Sequence, residues 1–359
     1  MTDNRYMTRA IELAQMAAGF TSPNPPVGAV LVKNDQIIGE GFTLPAGQDH
    51  AEVVAIKSAA SGTSGSELYV TLEPCNHIGK TPPCTEAIIA AGVDRVNIAL
   101  MDPAPHTSGQ GVERLKSAGI EVSLFPPTQK VLELVEAFAK YINTGIPFVI
   151  AKFAMSLDGK IATRSGESQW ISNELSRNYA HTLRSKCDAI MVGIGTVIKD
   201  NPRLTARMKD SQTTRYPLRV ILDSSGRLPE SSALLREYGQ NLVIVSSDEA
   251  ANRINSMGVD VLVAPSIEDG LDIAFILEEL GNRGILSILV EGGAGVLGTI
   301  FERQFADKVV AFIAPKIIGG IDAPSPVQGQ GVNLLAEAIN LDRVQVTELN
   351  GDIMMVGYK

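Results

Sequence analysis

The sequence predicts an α/β protein with two domains, and three observations support this prediction. The chain has 359 residues, which is long for a single domain. Apolar segments of strand length alternate with helical segments along most of it. A helical segment ends at Asn143-Thr144-Gly145 and is followed by Ile146-Pro147, a pattern typical of a domain boundary. We therefore expect domains at residues 1–145 and 146–359.

The first half reads as a helix, a hairpin and then alternating helices and strands. Apolar side chains at helical spacing predict a helix over residues 5–18 that ends at Gly19. Apolar runs at 27–32 and 36–40 flank Asn34-Asp35, which predicts a β-hairpin. Further helices are expected at 51–60, 85–91, 111–118 and 128–142, and further strands at 68–72, 96–100 and 121–124.

The second half repeats the α/β alternation with more strands. We expect strands at 148–153, 189–192, 218–222, 242–245, 261–263, 285–290 and 309–314. Helices are expected at 173–185, at 267–280 and directly after the glycine-rich segment 292–298.

Composition and charge exclude several classes of protein. Hydrophobic residues make up 45% and charged residues 20%, so an ordered core is expected. The net charge is −9 and both halves are acidic, which disfavours nucleic-acid and anionic-membrane partners. No apolar run approaches the roughly 18 residues of a membrane helix, and the first residues do not resemble a signal peptide. Three cysteines indicate a reducing compartment. We expect a cytoplasmic enzyme with a small-molecule substrate, assembled as a homo-oligomer.

One group of residues has the composition of a catalytic metal site. His50-Ala51-Glu52 is followed by Cys75, and Cys84 comes nine positions later, each cysteine directly after a proline. One imidazole and two thiolates suit zinc, and a set of three ligands leaves a coordination position open. Zinc lowers the pKa of a water in such a position to about 7. Glu52, two residues from the histidine, is placed to move protons.

Two other interpretations apply to the same residues. Asp49 and Glu52 fit a helix capping box, with Asp49 as the N-cap. Two cysteines on their own are more often small buried apolar residues than ligands. The combination of H-x-E with two P-C pairs favours zinc, since zinc deaminases carry H-x-E and P-C-x-x-C. Here eight residues rather than two separate Cys75 from Cys84.

The eight-residue insertion, Asn76-His77-Ile78-Gly79-Lys80-Thr81-Pro82-Pro83, adds polar groups beside the metal. Its imidazole, ammonium and hydroxyl suit a substrate that carries a phosphate. His77 and Lys80 are alternatively solvated residues of a surface loop.

These motifs resemble a known family. His50-Ala51-Glu52, the run Thr71 to His77 and the run Gly79 to Cys84 look like the deaminase half of the bifunctional riboflavin-biosynthesis deaminase–reductases. Pro23-Asn24-Pro25, Val27-Gly28 and Asp102-Pro103 extend the resemblance, which continues through the second domain.

The resemblance implies a cytidine-deaminase-like, three-layer α/β/α N-terminal domain that deaminates a diaminopyrimidine ribotide. It implies His50, Cys75 and Cys84 as ligands of one Zn²⁺ and Glu52 as the proton donor. It also implies base or phosphate contacts from Asn24, His77 and Lys80. Thr43 stands where many members have histidine, and Ala104 where asparagine is usual.

A second candidate site follows the expected strand 287–290. Residues 293–298 match G-x-G-x-x-G, a pattern in which backbone amides approach a phosphate at a helix N-terminus. The dinucleotide-binding fingerprint also needs an acidic residue closing the next strand, whereas this strand ends at Ala314-Pro315-Lys316. Phosphate binding without a Rossmann fold is therefore expected; the alternative is a turn whose glycines serve packing.

The second domain resembles the reductase half of the same family. The motifs are Ser156-Leu157-Asp158-Gly159-Lys160, Gly166 to Ile171, Val192 to Thr196 and Asp200 to Thr205. The resemblance implies a dihydrofolate-reductase-like fold and NADPH as hydride donor. The residues implied to line the cofactor are Ala154, Trp170, Thr196, Asp200, Ser224, Gly293, Ala294, Gly295, Val296, Leu297, Gly298 and Thr299. Those implied to line the substrate are Ser168, Arg184, Leu204, Arg207 and Glu291.

The chemistry of several of these residues fits the cofactor and substrate roles that the resemblance implies. Arg184 and Arg207 have the forked geometry that clamps a phosphate. Trp170 would pack on a nicotinamide ring, or else is an ordinary core or surface residue. Ser224 would hold a 2′-phosphate, although serines are common in turns. Lys152 is a candidate for polarising the sugar during ring opening.

The motifs together with the resemblance thus imply zinc-dependent pyrimidine deamination followed by NADPH-dependent reduction of a ribosyl group, with both reactions belonging to riboflavin synthesis. One alternative is a nucleoside or tRNA-base deaminase fused to an unrelated nucleotide-binding domain. Another is a non-catalytic zinc-stapled sensor, which would normally show four protein ligands and have no need of Glu52.

Overall fold

The computed structural model describes residues 5–59, 62–207, 216–268 and 270–359. The chain divides into two compact units, Met1–Ile146 and Pro147–Lys359. Both units are built from a sheet flanked by helices, which confirms the predicted α/β class. Residue 60, the expected end of one helix, lies outside the described residues.

The first unit has five helices and five strands within its described residues. Its helices are Arg5–Ala17 (α1), Ala51–Ser58 (α2), Cys84–Ala90 (α3), Gln110–Ser117 (α4) and Gln129–Thr144 (α5). Its strands are Gly28–Lys33 (β1), Gln36–Phe42 (β2), Glu67–Val70 (β3), Arg95–Ile98 (β4) and Glu121–Leu124 (β5). Each lies within a few residues of an element expected from the sequence.

The five strands form one sheet in the order β2-β1-β3-β4-β5. β1 is antiparallel to β2 and β3, whereas β3, β4 and β5 are parallel. Side chains alternate between the faces, so that Ala29 and Leu31 pack in the core with α2, α3 and α4. Val30 and Val32 lie on the opposite face with α1 and Val131 of α5. The result is the expected three-layer α/β/α arrangement.

Gly28 sets the distance between α1 and the sheet. A Cβ atom at this position would lie 1.9 Å from the carbonyl oxygen of Ala10. Only glycine therefore allows α1 to approach β1 so closely.

The second unit has a larger, mostly parallel sheet. Its helices are Glu174–Lys186 (α6), Ile194–Asp200 (α7), Asp248–Asn255 (α8), Ile273–Asn282 (α9) and Ala294–Glu302 (α10). Its first strands are Phe148–Ser156 (β6), Ala189–Gly193 (β7), Leu218–Leu222 (β8), Asn241–Val245 (β9) and Asp260–Val263 (β10). The remaining strands are Ser266–Ile267 (β11), Gly270–Leu271 (β12), Ser287–Val290 (β13), Lys308–Ala314 (β14), Asp342–Leu349 (β15) and Asp352–Tyr358 (β16).

Nine of these strands pair in the order β10-β9-β8-β7-β13-β6-β14-β16-β15. The seven from β10 to β14 are parallel, and β16 and β15 close the sheet as an antiparallel hairpin. Because the parallel strands share one direction, the loops after β6, β7, β8, β13 and β14 emerge at one sheet edge. No helix within the described ranges is long and apolar enough to cross a membrane.

One sequence expectation for this unit was wrong, and one pair of strands was missed. The helix expected at 267–280 begins at Ile273, because a two-strand hairpin precedes it and the Asp272 carboxylate caps it by accepting from the Ala274 amide at 3.0 Å. The β15–β16 hairpin was not expected. β15 lacks a buried face, so it leaves no apolar run in the sequence.

Candidate active sites

Three metal-ligating side chains meet in the first unit. His50 directly precedes α2, Cys75 lies on the segment between β3 and α3, and Cys84 is the first residue of α3. The Nδ1 atom of His50 lies 3.6 Å from the Sγ of Cys75 and 3.3 Å from the Sγ of Cys84. All three ligand atoms lie within 4.8 Å of one another.

These separations fit a zinc ion. Tetrahedral zinc with Zn–N and Zn–S bonds of normal length places neighbouring N and S ligands about 3.5 Å apart. The Cys75 thiol also has the required chemistry. The hydrogen bond from Cys84 lowers the pKa of the Cys75 thiol to about 4, and the thiolate is the form that binds metals. The amide of Cys84 donates to the same sulfur at 3.4 Å.

The start of α2 distinguishes the two interpretations of Glu52. The N-cap is His50 and not Asp49, and no side chain caps the helix. Asp49 instead accepts from the ammonium of Lys57 at 2.6 Å. Glu52 is therefore the second helical residue, one short of the capping-box position. The capping-box interpretation is wrong for this helix.

Glu52 is buried beside the metal group, with 4% of its surface exposed. Burial raises the pKa of its carboxyl to about 7, and the charge of the neighbouring Cys75 acts in the same direction. The charge of His50 and hydrogen bonding with the Cys84 side chain lower this pKa but do not outweigh the burial. A carboxyl group whose pKa is near neutrality can both take up and release a proton at working pH.

A cleft of about 130 Å³ opens over the metal group. Its wall includes His50 and Cys75 together with Asn24, His77 and Lys80, the three residues expected to contact substrate. His77 and Lys80 are exposed on the insertion. The insertion is held at its ends, where the Thr85 hydroxyl donates to Asn76 Oδ1 at 2.9 Å and the Thr81 hydroxyl lies 3.5 Å from His50 Nε2.

The two departures from the family pattern have local roles. The buried Thr43 hydroxyl accepts from the Val27 amide at 3.1 Å. The backbone amide of Ala104 donates to the Asp102 carboxylate at 2.9 Å. The side chain at position 104 takes no part in this bond. Neither Thr43 nor Ala104 lines the cleft.

Glu73 is a site-supporting residue that sequence reasoning missed. Its buried carboxylate accepts three backbone hydrogen bonds, from Asp102 at 3.1 Å, Gly109 at 3.0 Å and Val112 at 3.1 Å. It thereby fixes the chain two residues before Cys75. An acidic residue after an apolar strand was the only sequence signal, and the backbone amides that donate to it lie about thirty or more positions away.

In the second unit, a buried ion pair forms the centre of the expected substrate site. Arg184 on α6 donates two hydrogen bonds to Glu291, which follows β13, and the Nη2–Oε2 distance is 2.7 Å. The Lys152 ammonium lies 3.9 Å from the same carboxylate. Burial alone would raise the pKa of Glu291, but the charge of Arg184 and its hydrogen bonds lower it to about 2. Burial lowers the pKa of Lys152.

The segment after α7 completes this cluster. Leu204 is buried, and the carbonyl of Thr205 accepts from Arg184 Nη1 at 3.2 Å and contacts His181 Nδ1 at 3.0 Å. All three Arg184 guanidinium nitrogens therefore already have protein acceptors. This argues against Arg184 as half of a phosphate clamp. The Arg207 side chain, in contrast, is exposed and accessible to a phosphate.

The glycine-rich segment forms the start of α10, with Gly293 as its N-cap. The amides of Ala294, Gly295 and Val296 occupy the first turn, where an α-helix has no acceptor for them. Leu297 is already bonded to the Gly293 carbonyl at 3.1 Å, so it and the following residues Gly298 and Thr299 lie beyond that turn.

The glycines of this segment have different structural roles. A Cβ on Gly295 would meet open space, whereas one on Gly298 would lie 1.8 Å from the Gln328 carbonyl oxygen. A Cβ on Gly293 would lie 3.2 Å from the Thr196 hydroxyl. Packing therefore explains Gly298, and Gly293 brings the α10 turn against α7.

The other expected cofactor and substrate residues lie on β6, on α7 and on the loops after β6 and β8. The Ser168 hydroxyl donates to Asp200 at the end of α7 at 3.4 Å. Ala154 is half-buried on β6, and Ser224 follows β8, where its carbonyl accepts from the Ser246 amide at 3.0 Å. Trp170 is 63% exposed and is therefore not a core residue.

Comparison with known proteins agrees with this two-site arrangement. Residues 1–100 match the cytidine and deoxycytidylate deaminase zinc-binding region, and residues 147–355 match the RibD C-terminal domain. The riboflavin biosynthesis protein RibD of Aquifex aeolicus is 41% identical over 98% of this chain and 97% of its own. That of Bacillus amyloliquefaciens is 42% identical over 98% and 94%.

Two solved structures are similar over almost the whole chain. Acinetobacter baumannii RibD superposes with a TM-score of 0.87 at 36% identity, covering 98% of this chain and 97% of that one. A diaminohydroxyphosphoribosylaminopyrimidine deaminase/5-amino-6-(5-phosphoribosylamino)uracil reductase from Thermotoga maritima gives 0.86 at 40% identity, with the same coverage.

We expect Glu73→Gln to destabilise the first unit by about 1–3 kcal/mol, because an amide nitrogen would face backbone N–H groups that now have an acceptor. Thermal unfolding should show this loss. Glu113→Gln, a change of an exposed side chain on α4, is the matched control and should leave the transition unchanged. An unaltered transition for Glu73→Gln would contradict the role given to its three hydrogen bonds.

Proposed function

The chain belongs to the RibD family of riboflavin biosynthesis proteins and is a bifunctional deaminase and reductase, and on this premise we propose which residues perform each reaction. The first reaction removes an amino group from 2,5-diamino-6-(5-phosphoribosylamino)pyrimidin-4-one by hydrolysis. The second uses NADPH to reduce the ribosyl group of 5-amino-6-(5-phosphoribosylamino)uracil to ribityl. We assign deamination to residues 1–145 and reduction to residues 146–359.

For deamination, His50, Cys75 and Cys84 would hold one zinc ion per chain. The observation that supports this most directly is the convergence of their ligand atoms at 3.3 and 3.6 Å beside a buried carboxyl. A zinc ion held there would supply the Lewis acidity that lowers the pKa of a water close to the ring carbon that bears the amino group. Glu52 would take a proton from the attacking water on its carboxylate and deliver it to the departing nitrogen, which leaves as ammonia.

The cleft residues would orient the substrate. The Asn24 side-chain amide can pair with the donors and acceptors of the pyrimidine edge. His77 and Lys80 would contact the phosphate of the ribotide, for which an exposed imidazole and ammonium beside the metal group are suited. Their position on the wall of the cleft supports this assignment.

For reduction, hydride transfer requires the nicotinamide C4 to face the C1′ of the ribosyl group. A bound NADPH would supply the hydride for a new C–H bond at C1′, while the bond from C1′ to the ring oxygen breaks and that oxygen takes a proton from solvent. Lys152 would polarise this oxygen, which its burial and its position beside Glu291 support. Arg184 would hold Glu291 in place, and both would border the sugar.

The remaining cofactor and substrate contacts that we propose come from residues along the same sheet edge of the second unit. The amides of Ala294, Gly295 and Val296 would bind a cofactor phosphate, with Thr196 and Asp200 on the adjoining helix. Ala154, Trp170 and Ser224 would contact the rest of NADPH. Ser168, Leu204 and Arg207 would receive the substrate, with Arg207 rather than Arg184 contacting its phosphate.

We infer a cytoplasmic location and no nucleic-acid or membrane partner. None of Cys75, Cys84 and Cys187 is in a disulfide, and the first two need to be reduced to bind zinc. The net charge of −9 opposes binding to polyanions.

We also propose that the protein is a homo-oligomer joined through β15. This strand is the last of the nine and has exposed apolar side chains, Val344 at 48% and Val346 at 65%. An exposed edge strand of this kind favours pairing with another chain. Antiparallel pairing of two copies about the Gln345–Val346 bond would set Arg343 opposite Glu348, an arrangement of opposite charges compatible with twofold symmetry.

Glu52→Gln should reduce deamination by at least about 10²–10⁴-fold, the range for loss of a general acid–base group. Zinc content and reductase turnover should stay unchanged, because Glu52 is not a ligand and lies in the other unit. Steady-state assays of each half-reaction and elemental analysis check this. Glu86→Gln, on the exposed face of α3, is the control. Deamination within tenfold of the parent would show that Glu52 does not transfer the proton.

Arg207→Leu should raise the KM for the reductase substrate about tenfold or more, since it removes a charged hydrogen bond to phosphate, and should leave the KM for NADPH unchanged. Arg203→Leu is the matched control, because that guanidinium lies on the same loop and pairs with Glu237 at 3.4 Å. Equal effects of the two substitutions would remove Arg207 from the substrate site.

Val346→Lys should shift the protein toward a smaller species in sedimentation velocity, because it places a charge in the proposed strand pairing. Val263→Lys is the control, since it alters the strand at the opposite end of the same sheet, where the side chain is 42% exposed. If both variants sediment like the parent, the interface is not at β15.

A further inference from the structure

Trp170, the only tryptophan in the chain, is held at the surface by two cationic side chains. The Lys316 ammonium donates to the Trp170 carbonyl oxygen at 2.7 Å. The Arg177 guanidinium carbon lies 4.7 Å from the centroid of the indole ring. The indole is still 63% exposed, so its contact with Arg177 leaves ring surface open to solvent.

Lys316 is itself fixed by two adjoining loops. Its carbonyl accepts from the Leu157 amide at 2.8 Å, which ties the loop after β14 to the loop after β6. The amides of Ile318 and Gly319 donate to the Asp158 carboxylate at 3.1 and 2.7 Å. The Lys316 ammonium therefore extends from a segment whose backbone is fixed by hydrogen bonds, although the side chain itself is exposed.

Arg177 is fixed in a similar way. It lies on α6, and its Nη1 donates to the Ser172 carbonyl oxygen at 2.6 Å. The next residue, Asn173, caps α6 by accepting from the Ser176 amide, and its own amide donates to Asp352 at 2.7 Å. Both residues that contact Trp170 thus belong to well-anchored parts of the second unit.

The Trp170 segment borders the expected cofactor site. Ser168, two residues earlier, donates to Asp200 on α7, and the same helix carries Thr196 against Gly293. A restrained aromatic ring at the rim of such a site is suited to stacking a flat heterocycle, because little conformational entropy is lost when the partner binds.

We propose that Lys316 and Arg177 are positioning residues that hold the Trp170 indole as a stacking surface for the nicotinamide ring of NADPH. The proposal rests on the cofactor role given to Trp170 above. Lys316 fixes the backbone of the tryptophan, and Arg177 occupies one face of its ring. The cofactor ring would stack on the open part of the indole.

The test uses the full-length protein and its single tryptophan. Indole emission overlaps the absorption of the reduced nicotinamide, so NADPH bound next to Trp170 should quench that emission and emit by energy transfer. Lys316→Met and Arg177→Gln should lower the fluorescence anisotropy of Trp170 without ligand and weaken NADPH binding. The loss should be about tenfold for Lys316→Met, the usual weight of a charged hydrogen bond, and about threefold for Arg177→Gln, the weight of an exposed cation–π contact.

Lys359→Met is the matched control. Lys359 is also exposed and also donates to a backbone carbonyl, that of Gln304 at 3.0 Å, in the same unit. It should leave anisotropy and NADPH affinity unchanged. Lys316→Arg, which keeps the donor, should restore most of the affinity and provides a second test if Lys316→Met does not fold.

The outcomes separate this proposal from the function on which it rests. Energy transfer that persists with unchanged affinity and anisotropy in both variants would overturn the positioning roles alone. Absence of energy transfer in the parent protein while it reduces its substrate would overturn the cofactor role of Trp170, and the positioning proposal with it.

Discussion

The direction shared by parallel strands determines where chemistry can occur in this protein. Strands that run the same way end at one sheet edge, and the loops that follow them meet there. In the second unit this edge collects Lys152 from β6 itself, Glu291 after β13 and Lys316 after β14. The first unit follows the same rule, since Cys75 comes from the segment after β3 and Glu73 reaches residues beyond β4. Residues far apart in sequence become neighbours without long excursions of the chain.

Both sites also depend on buried charge that is fully paired. Glu73 is satisfied by three amides, and Glu291 by Arg184 with Lys152 nearby. A buried carboxylate without such partners would be strongly unfavourable, so these residues restrict each loop to a single arrangement. Glu52 differs, because burial raises its pKa more than the neighbouring His50 and Cys84 lower it. The carboxylates of Glu73 and Glu291 fix geometry, whereas that of Glu52 retains a proton affinity suited to transfer.

The sequence was informative where a residue type has one dominant chemical use. The spacing of His50, Cys75 and Cys84, with Glu52 beside the histidine, predicted a zinc-binding deaminase domain, and most strands were visible as apolar runs. Capping was not predictable, because Asp49 had a competing partner in Lys57. β15 was missed because neither of its faces is buried, and α9 was placed too early because a short hairpin precedes it. The pairing of Arg184 with Glu291, 107 positions apart, has no local signal at all.

The insertion between the two cysteine ligands has a thermodynamic consequence. Closing a flexible loop costs entropy that grows only with the logarithm of its length, about 0.6 kcal/mol per doubling. Extending the spacer from the two residues of the short deaminase signature to the eight found here is two doublings, or about 1.2 kcal/mol. That cost is small beside the free energy of binding a structural zinc ion, about 10–16 kcal/mol in small peptides. The ligand pair can therefore tolerate wide variation in the segment it encloses, which leaves that segment free to diverge toward new substrates while the metal chemistry stays the same.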